Sequence, residues 1–281
     1  MPLISRSKAI DYWSTRVAHF AGSKEESGAG HPAPLARLIH KIEICSILQE
    51  LKLSGTEKML DIGAGGGRWS ISLAPFVREI TALEPSEIFS VLQENTAAYA
   101  NIECRKESCE TYRTGEQADL IIISGVLMYL DDEEADAFIA KASSLLKEGG
   151  TLVLREPVSP AGVIRMDSEM YPGDARVELV NADYWEFLRH RSFYPARFRV
   201  NGIRLLRSLA SHAPLFYYLP EWMIFRDQIS KLSLQVISRD KYWWLIWHYN
   251  KLFRKPYEWV DNRIGRRSFR LFVFSKMSPE L

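Results

Sequence analysis

Cysteine is scarce. The 281 residues hold three, Cys45, Cys104 and Cys109, with no CxxC pair and no spacing suited to a metal. An odd, sparse set excludes a disulfide framework and points to a reducing compartment. Long apolar runs are missing as well. The clearest uncharged stretch, Leu120 to Leu130, falls well short of the ~20 residues a membrane span needs. The opening MPLISRSKAIDYWS has no long apolar core and does not read as a signal peptide. A soluble, cytoplasmic protein is expected. Net charge is nearly absent too, at +1, so the total offers nothing to draw the chain to nucleic acid. No repeat and no low-complexity tract breaks the pattern.

What is present is unevenly spread. From Glu156 to Leu281 there are 20 Lys and Arg against 13 Asp and Glu, and six of the eight Trp. The residues before Glu156 carry 16 against 22. The two parts are built for different jobs, and the second is the better suited to an anionic or amphiphilic partner.

Helical spacing covers residues 7–20, and again 35–53, with the Gly-, Ser-, Glu- and Pro-rich loop 21–34 between them. From Lys58 short apolar runs alternate with helices. MLDIG, ITALE (80–84), NIECR, ADLIIIS (118–124) and TLVLRE (151–156) read as strands. Helices are expected near 68–76, 86–99 and 132–147, the last closed by Gly149-Gly150. This alternation predicts a doubly wound, mostly parallel sheet. After Pro157 the alternation fails, and residues to about 266 read as helical. SFRLFVFSK, 268–276, alternates like a strand that closes the sheet edge. The divisions expected are 1–57, 58–156 and 157–281.

The stretch MLDIGAGGGRWS places four glycines in the five positions 63–67, directly after the first strand. Ligands bind at the carboxyl ends of strands in such sheets, and glycine lets a ligand approach the main chain. A nicotinamide dinucleotide needs GxGxxG, but the third glycine is replaced by Arg68, followed by bulky Trp69. What fits is Asp61-x-Gly63-x-Gly65-x-Gly67, with an acid on the strand itself. That carboxylate repels a pyrophosphate and suits a ligand with an ammonium and a sulfonium. Glu84, 21 positions after Gly63, ends the second strand and is placed to accept both hydroxyls of a ribose.

Residues 58–156 resemble the class I S-adenosylmethionine-dependent methyltransferases. The stretches VLMYLDDEEA and LKEGGTLVLREP are similar to small-molecule members, including the phosphoethanolamine N-methyltransferases. The resemblance implies an α/β fold with a Rossmann-like, doubly wound sheet, an N-terminal helical lid and a helical C-terminal insertion. It implies S-adenosyl-L-methionine as cofactor. The loop with Asp61, Gly63, Ala64, Gly65 and Gly67 cradles its methionine end, and Glu84, followed by Pro85, holds the ribose. Glu107 and Ser108 border the adenine. Ser124 and Gly125 lie along the sulfonium. Tyr12, on the first helix, folds over the cofactor.

In-line methyl transfer needs alignment first, and a general base only where the nucleophile holds a proton. Tyr129 either orients the nucleophile or walls the pocket. Glu156 either binds a substrate cation or acts as base, or else pairs with an arginine. His19 is a further candidate base. In the second part, KYWWLIWHYNKLFRK (241–255) puts Trp243, Ile246, Trp247 and Phe253 on one face and Tyr242, Leu245, Tyr249 and Leu252 on a neighbouring one. It reads as core, dimer interface or peripheral membrane contact. The arginines at 189, 191, 197, 199, 204 and 207 offer a site for a substrate phosphate or carboxylate. No metal is expected, and SGVL stands where a base-flipping NPPY motif would argue for nucleic acid. The expected activity is methylation of an O or N atom of a small or lipid-linked metabolite. The alternatives are a non-catalytic cofactor-binding module and, behind it, a NAD-type oxidoreductase.

Overall fold

Nine strands form one sheet in the computed structural model, which describes residues 6–15, 33–167, 185–211, 239–264 and 268–278. Strands β1 (Lys58–Ile62), β2 (Glu79–Leu83), β3 (Ile102–Arg105), β4 (Ala118–Ser124) and β5 (Leu146–Ser159) are parallel, in the order β3-β2-β1-β4-β5. Further along the chain come β6 (Ile164–Asp167), β7 (Trp185–His190), β8 (Ile203–Ala210) and β9 (Ser268–Lys276). The last of these runs antiparallel to β5 from Thr151 to Val158, and β8 pairs on its far side.

The helices α1 (Arg6–Ser14), α2 (Ala33–Glu50), α3 (Arg68–Leu73), α4 (Phe89–Thr96), α5 (Asp132–Leu145), α6 (Phe193–Val200) and α7 (Trp243–Ile264) surround this sheet. Side-chain alternation along the strands splits the core in two. Leu60, Ile62, Ile121 and Ile123 pack with Phe138 and Ile139 of α5 and Phe198 of α6. Met59, Leu120, Ile122 and Val153 pack with Ile44 and Ile47 of α2 and Leu73 of α3. The β3–β4 crossover, 106–117, carries no helix, and a cleft of about 460 Å³ opens there over Lys58, Glu79, Thr81 and Glu103. Glu107 also lines this cleft, but no residue of the glycine loop does, so it is not the candidate site.

Three expectations change. The segment after Pro157 contributes β6, β7 and β8 as well as α6 and α7, because strand partners override a weak local pattern. SFRLFVFSK is a strand, but an interior one. Leu271, Phe272, Val273 and Phe274 are all buried, since both faces of β9 are covered. Gly149-Gly150 does not close a helix. Helix α5 ends at Leu145, and the glycines lie inside β5, within the register shift against β4 between Leu146 and Thr151. A Cβ on Gly150 would stand 2.8 Å from the Lys147 carbonyl. The division drawn at 156 falls inside β5, and β9 joins the last portion to the same sheet.

Candidate active site

The loops after β1 and β4 meet at the carboxyl end of the sheet. A Cβ on Gly63 would stand 2.5 Å from Cγ2 of Val126. Gly63 has φ 73°, so the contact and the backbone both require glycine. The Gly63 and Ala64 amides donate to the carbonyl of Leu83, each at 2.9 Å, which ties this loop to the end of β2. The next residue is Glu84. Its Oε2 accepts the amide of Gly65 at 2.9 Å, and its Oε1 accepts the amide of Ser86 at 2.9 Å and the Ser86 hydroxyl. Pro85 sits half-buried between them. Asn95 of α4 donates to the Gly66 carbonyl at 2.9 Å, and Gly67, packed on Leu92, precedes α3.

Asp61 lies beneath. Its Oδ2 accepts the amide and hydroxyl of Ser70 at 3.1 and 2.7 Å, satisfying a donor of the first turn of α3. Its Oδ1 is buried with no hydrogen-bond partner among the described residues. Burial pushes the carboxyl up to about 6, against the pull of Ser70 and Arg68. Arg68 supplies a nearby positive charge, but the second oxygen of an ionised Asp61 accepts no hydrogen bond among the described residues. At Gly65, φ 54°, nothing lies within 4 Å of where a Cβ would be. An orphaned anion below and open space at a bare backbone above fit a cofactor with an ammonium group.

The second loop is held from two sides. Gly125 donates to the Arg155 carbonyl at 2.8 Å, next to half-buried Ser124. Glu156 Oε1 accepts the amides of Val126 and Leu127 at 2.7 and 2.9 Å. Glu156 is fully buried, and desolvation raises its carboxyl to about 7. It neither opens into the crevice nor forms the expected ion pair with an arginine; backbone amides take that place. From the other side β7 joins β5 at Val158 and Ser159, past the end of β4. Its Arg189, 1% exposed, donates to the carbonyls of Leu127, Leu130 and Asp131 and pairs with Asp132. The guanidinium stacks over Phe193 at 4.6 Å.

Tyr129 stands on the turn so held. Its hydroxyl is 3.5 Å from Oε1 of Glu186, also on β7, and its ring meets Trp13 edge-on at 5.9 Å. Trp13 brings in α1. It packs on Ile88 and Val91, while Ser14 accepts the amide of Glu87 at 3.1 Å. At the other end Arg6 pairs with Glu110, and its amide reaches Glu134. Thus α1 is fastened to the segments after β2, β3 and β4. Tyr12 is half-buried on it, edge-on to Trp13. Glu107 and Ser108 follow β3, where Ser108 forms a turn with Thr111 and Tyr112. His19 lies outside the described residues.

Sequence reasoning missed Ser70, Ser86 and Glu186, and gave Arg189 a different role. A buried charged layer under α2 was missed as well. Arg155 pairs with Glu43 at 2.8 Å, and Arg68 with the same carboxylate at 3.8 Å. His40, bonded to Ser72 at 2.7 Å, is held well below the usual histidine range by burial and by Arg68. Arg68, which stands where a dinucleotide loop needs glycine, belongs to this layer. The arginines expected to bind a substrate anion are largely engaged within the protein. Arg191 pairs with Asp261, Arg197 with Asp136, and Arg207 with Glu50 and Glu258, while Arg189 is the buried clamp. That expectation is corrected for these four. Arg199 and Arg204 are exposed.

The sheet order, with the glycine loop and the acid ending β2, is that of the class I methyltransferase fold. The family model described as "Methyltransferase domain" matches residues 59–150, about a third of the chain. It is similar to phosphoethanolamine N-methyltransferase 1 of Caenorhabditis elegans, 31% identical over 115 residues. That match covers 40% of this chain and 24% of the relative, so the chain spans about a quarter of the curated protein's length. Among solved structures, the Haemonchus contortus phosphoethanolamine N-methyltransferase 1, in complex with phosphoethanolamine and S-adenosylhomocysteine, has TM-score 0.60 at 18% identity. The alignment covers 98% of this chain and 50% of that one. The Burkholderia thailandensis 1,6-didemethyltoxoflavin-N1-methyltransferase, with its substrate and S-adenosylhomocysteine bound, has TM-score 0.60 at 11% identity, covering 99% and 93%. These likenesses show the fold.

Proposed function

We propose that this chain transfers a methyl group from S-adenosylmethionine to a nitrogen of a small or lipid-linked acceptor. The observation that carries the proposal is the Gly63–Gly67 loop, drawn onto Glu84 above a buried, half-satisfied Asp61. Asp61 faces the cofactor's ammonium, the loop backbone and Ala64 hold its methionine end, and Glu84 takes the ribose hydroxyls. Glu107 and Ser108 border the adenine, and Tyr12 covers the crevice from α1. Bound there, the cofactor supplies a methyl on a cationic sulfur, open to in-line displacement by a lone pair.

The protein's own contribution is alignment, which lowers such barriers by ~7–11 kcal/mol. Ser124 and Gly125 bring the second loop alongside the methyl. Glu156 and Arg189 fix that loop from below and from β7, so both are positioning residues. Tyr129 orients the acceptor. Nitrogen is favoured over oxygen by what surrounds it: a carboxylate, Glu186, and the ring of Trp13 suit an amine that becomes cationic on methylation. A neutral amine attacks without a general base, which leaves His19 only the proton released. A lipid-linked acceptor goes with a cytoplasmic protein and with a membrane contact through 241–255; a homodimer is the other partner this segment allows.

The test is transfer of label from methyl-labelled S-adenosylmethionine to a panel of small acceptors, phosphoethanolamine and glycine against catechol. Label on an amine is expected. Label on hydroxyl acceptors alone overturns the nitrogen assignment, and cofactor binding without any transfer favours the non-catalytic module.

A further inference from the structure

Helix α7 is apolar on two opposite sides, and the two sides do different things. The inner side is core. Ile246 is buried with Leu38, Ile42 and Cys45 of α2, flanked by Trp243 and Trp247. Asn250 is bonded to Ser46 and Gln49 at 3.1 and 3.2 Å. Arg254 pairs with Glu50 at 3.2 Å. The outer side is exposed: Trp244 at 61%, Leu245 at 40%, Leu252 at 71% and Trp259 at 57%. The sequence placed Leu245 and Leu252 on an apolar face but did not separate the buried side from the open one.

Single exposed apolar residues are ordinary. Here they form a stripe. Positions 244, 248, 251, 252, 255 and 259 recur at helical spacing, and the exposed residues between the apolar ones are His248, Lys251 and Lys255. Arg239 and Lys241 extend the positive charge past the helix start. Among the described residues 239–262 the exposed acid is Asp240, and Lys41 pairs with it at 2.6 Å. Tryptophan and leucine laced with lysine, and no acid on the same face, is the composition of a helix that lies in a headgroup layer.

We infer that the outer face of α7 docks on an anionic lipid surface. Charge complementarity selects this occupant over a second copy. A two-fold dimer through this face sets the stripe against a copy of itself, and so brings Lys251, Lys255 and His248 together with no acid on the face to pair with them. Helix α7 lies on such a surface rather than crossing it; no described helix is long and apolar enough to span a membrane. The inference stands apart from the methyl-transfer proposal, because binding is measured without cofactor or acceptor.

The experiment is co-sedimentation of the full chain with phosphatidylcholine vesicles, with and without phosphatidylglycerol, at low and high salt. Two double variants are compared with wild type: Leu252→Ser with Trp259→Ser, and Lys251→Glu with Lys255→Glu. These side chains are exposed, so melting temperature should hold, whereas the control Ile246→Ala should lower it. Each basic residue near an anionic surface is worth about fivefold in binding. Wild type should bind the phosphatidylglycerol vesicles, release at high salt, and lose at least ~10-fold in either double variant. Equal binding by the variants, or none by wild type, overturns the inference. A wild-type dimer that the variants convert to monomer, with no vesicle binding, assigns the face to a second copy instead.

Discussion

The loops after β1 and β4 are built alike and encoded differently. Each puts backbone amides on a buried carboxylate: Gly65 on Glu84 in the first, Val126 and Leu127 on Glu156 in the second. The first loop takes its supports from nearby in the chain: Ser70 lies nine residues from Asp61, and Glu84 nineteen from Gly65. The second takes them from 29 to 62 residues away, on β5 and β7. The loop proposed to hold the cofactor is therefore a local unit, whereas the one proposed to face the acceptor depends on the inserted strand β7. Its clamp can change with the insertion while the cofactor site stays the same.

The largest effect should come from removing that clamp. In Arg189→Ala three carbonyls lose a charged donor, and stability should fall by at least ~3 kcal/mol in denaturant titration. S-adenosylmethionine affinity should stay within about threefold, corresponding to less than ~0.7 kcal/mol. A large loss of cofactor affinity in a folded variant would erase the separation between the loops.

Glu156 sharpens the comparison through pH. Its carboxyl is raised from 4.5 to about 7 in the folded chain. The folded state thus holds the proton more tightly than the unfolded one. The stability this provides is complete below pH 4.5 and is lost as pH rises through about 7. Relative to Glu156→Gln, which does not titrate, wild type should lose roughly 3 kcal/mol across that window. Parallel stability curves for the two proteins would show that Glu156 does not titrate there.

Glu84→Ala should act on the first loop alone. It removes the acceptor of the Gly65 amide and of a bound ribose, and cofactor affinity should fall at least ~10-fold, with Glu84→Gln falling less. The smallest effect is expected at Arg197→Ala. Its pair with Asp136 is well exposed on both sides, so stability should shift by less than about 0.5 kcal/mol and acceptor KM should not move.

The same contrast explains what the sequence made legible. ADLIIIS and SFRLFVFSK were visible as strands to the residue, because apolar side chains fill both faces. Asp61, Gly63, Gly65 and Glu84 stood out as a candidate strand-end site by their short spacings, and the structure draws Gly63 and Gly65 onto the end of β2 and Glu84. The place of Arg189 was not legible. Its segment read as helical and the residue as one of six arginines open to a substrate anion, and only the pairing of β7 with β5 brings it under the Leu127–Asp132 turn. Glu156 was expected in the crevice because it ends a strand there, but the amides of Val126 and Leu127 fold back over it. The interior place of β9 was hidden for the same reason: an alternating strand does not say which neighbours it has.

Titration calorimetry of S-adenosylmethionine into wild type and Gly65→Val is the most direct test of the assignment. At φ 54° the variant carries about 1–2 kcal/mol of backbone strain but meets no neighbour within 4 Å, so it should remain folded. Wild type should bind with one site per chain, and the folded variant should give no binding heat. Equal affinities, or a wild type that does not bind, would contradict the placement of the cofactor on this loop.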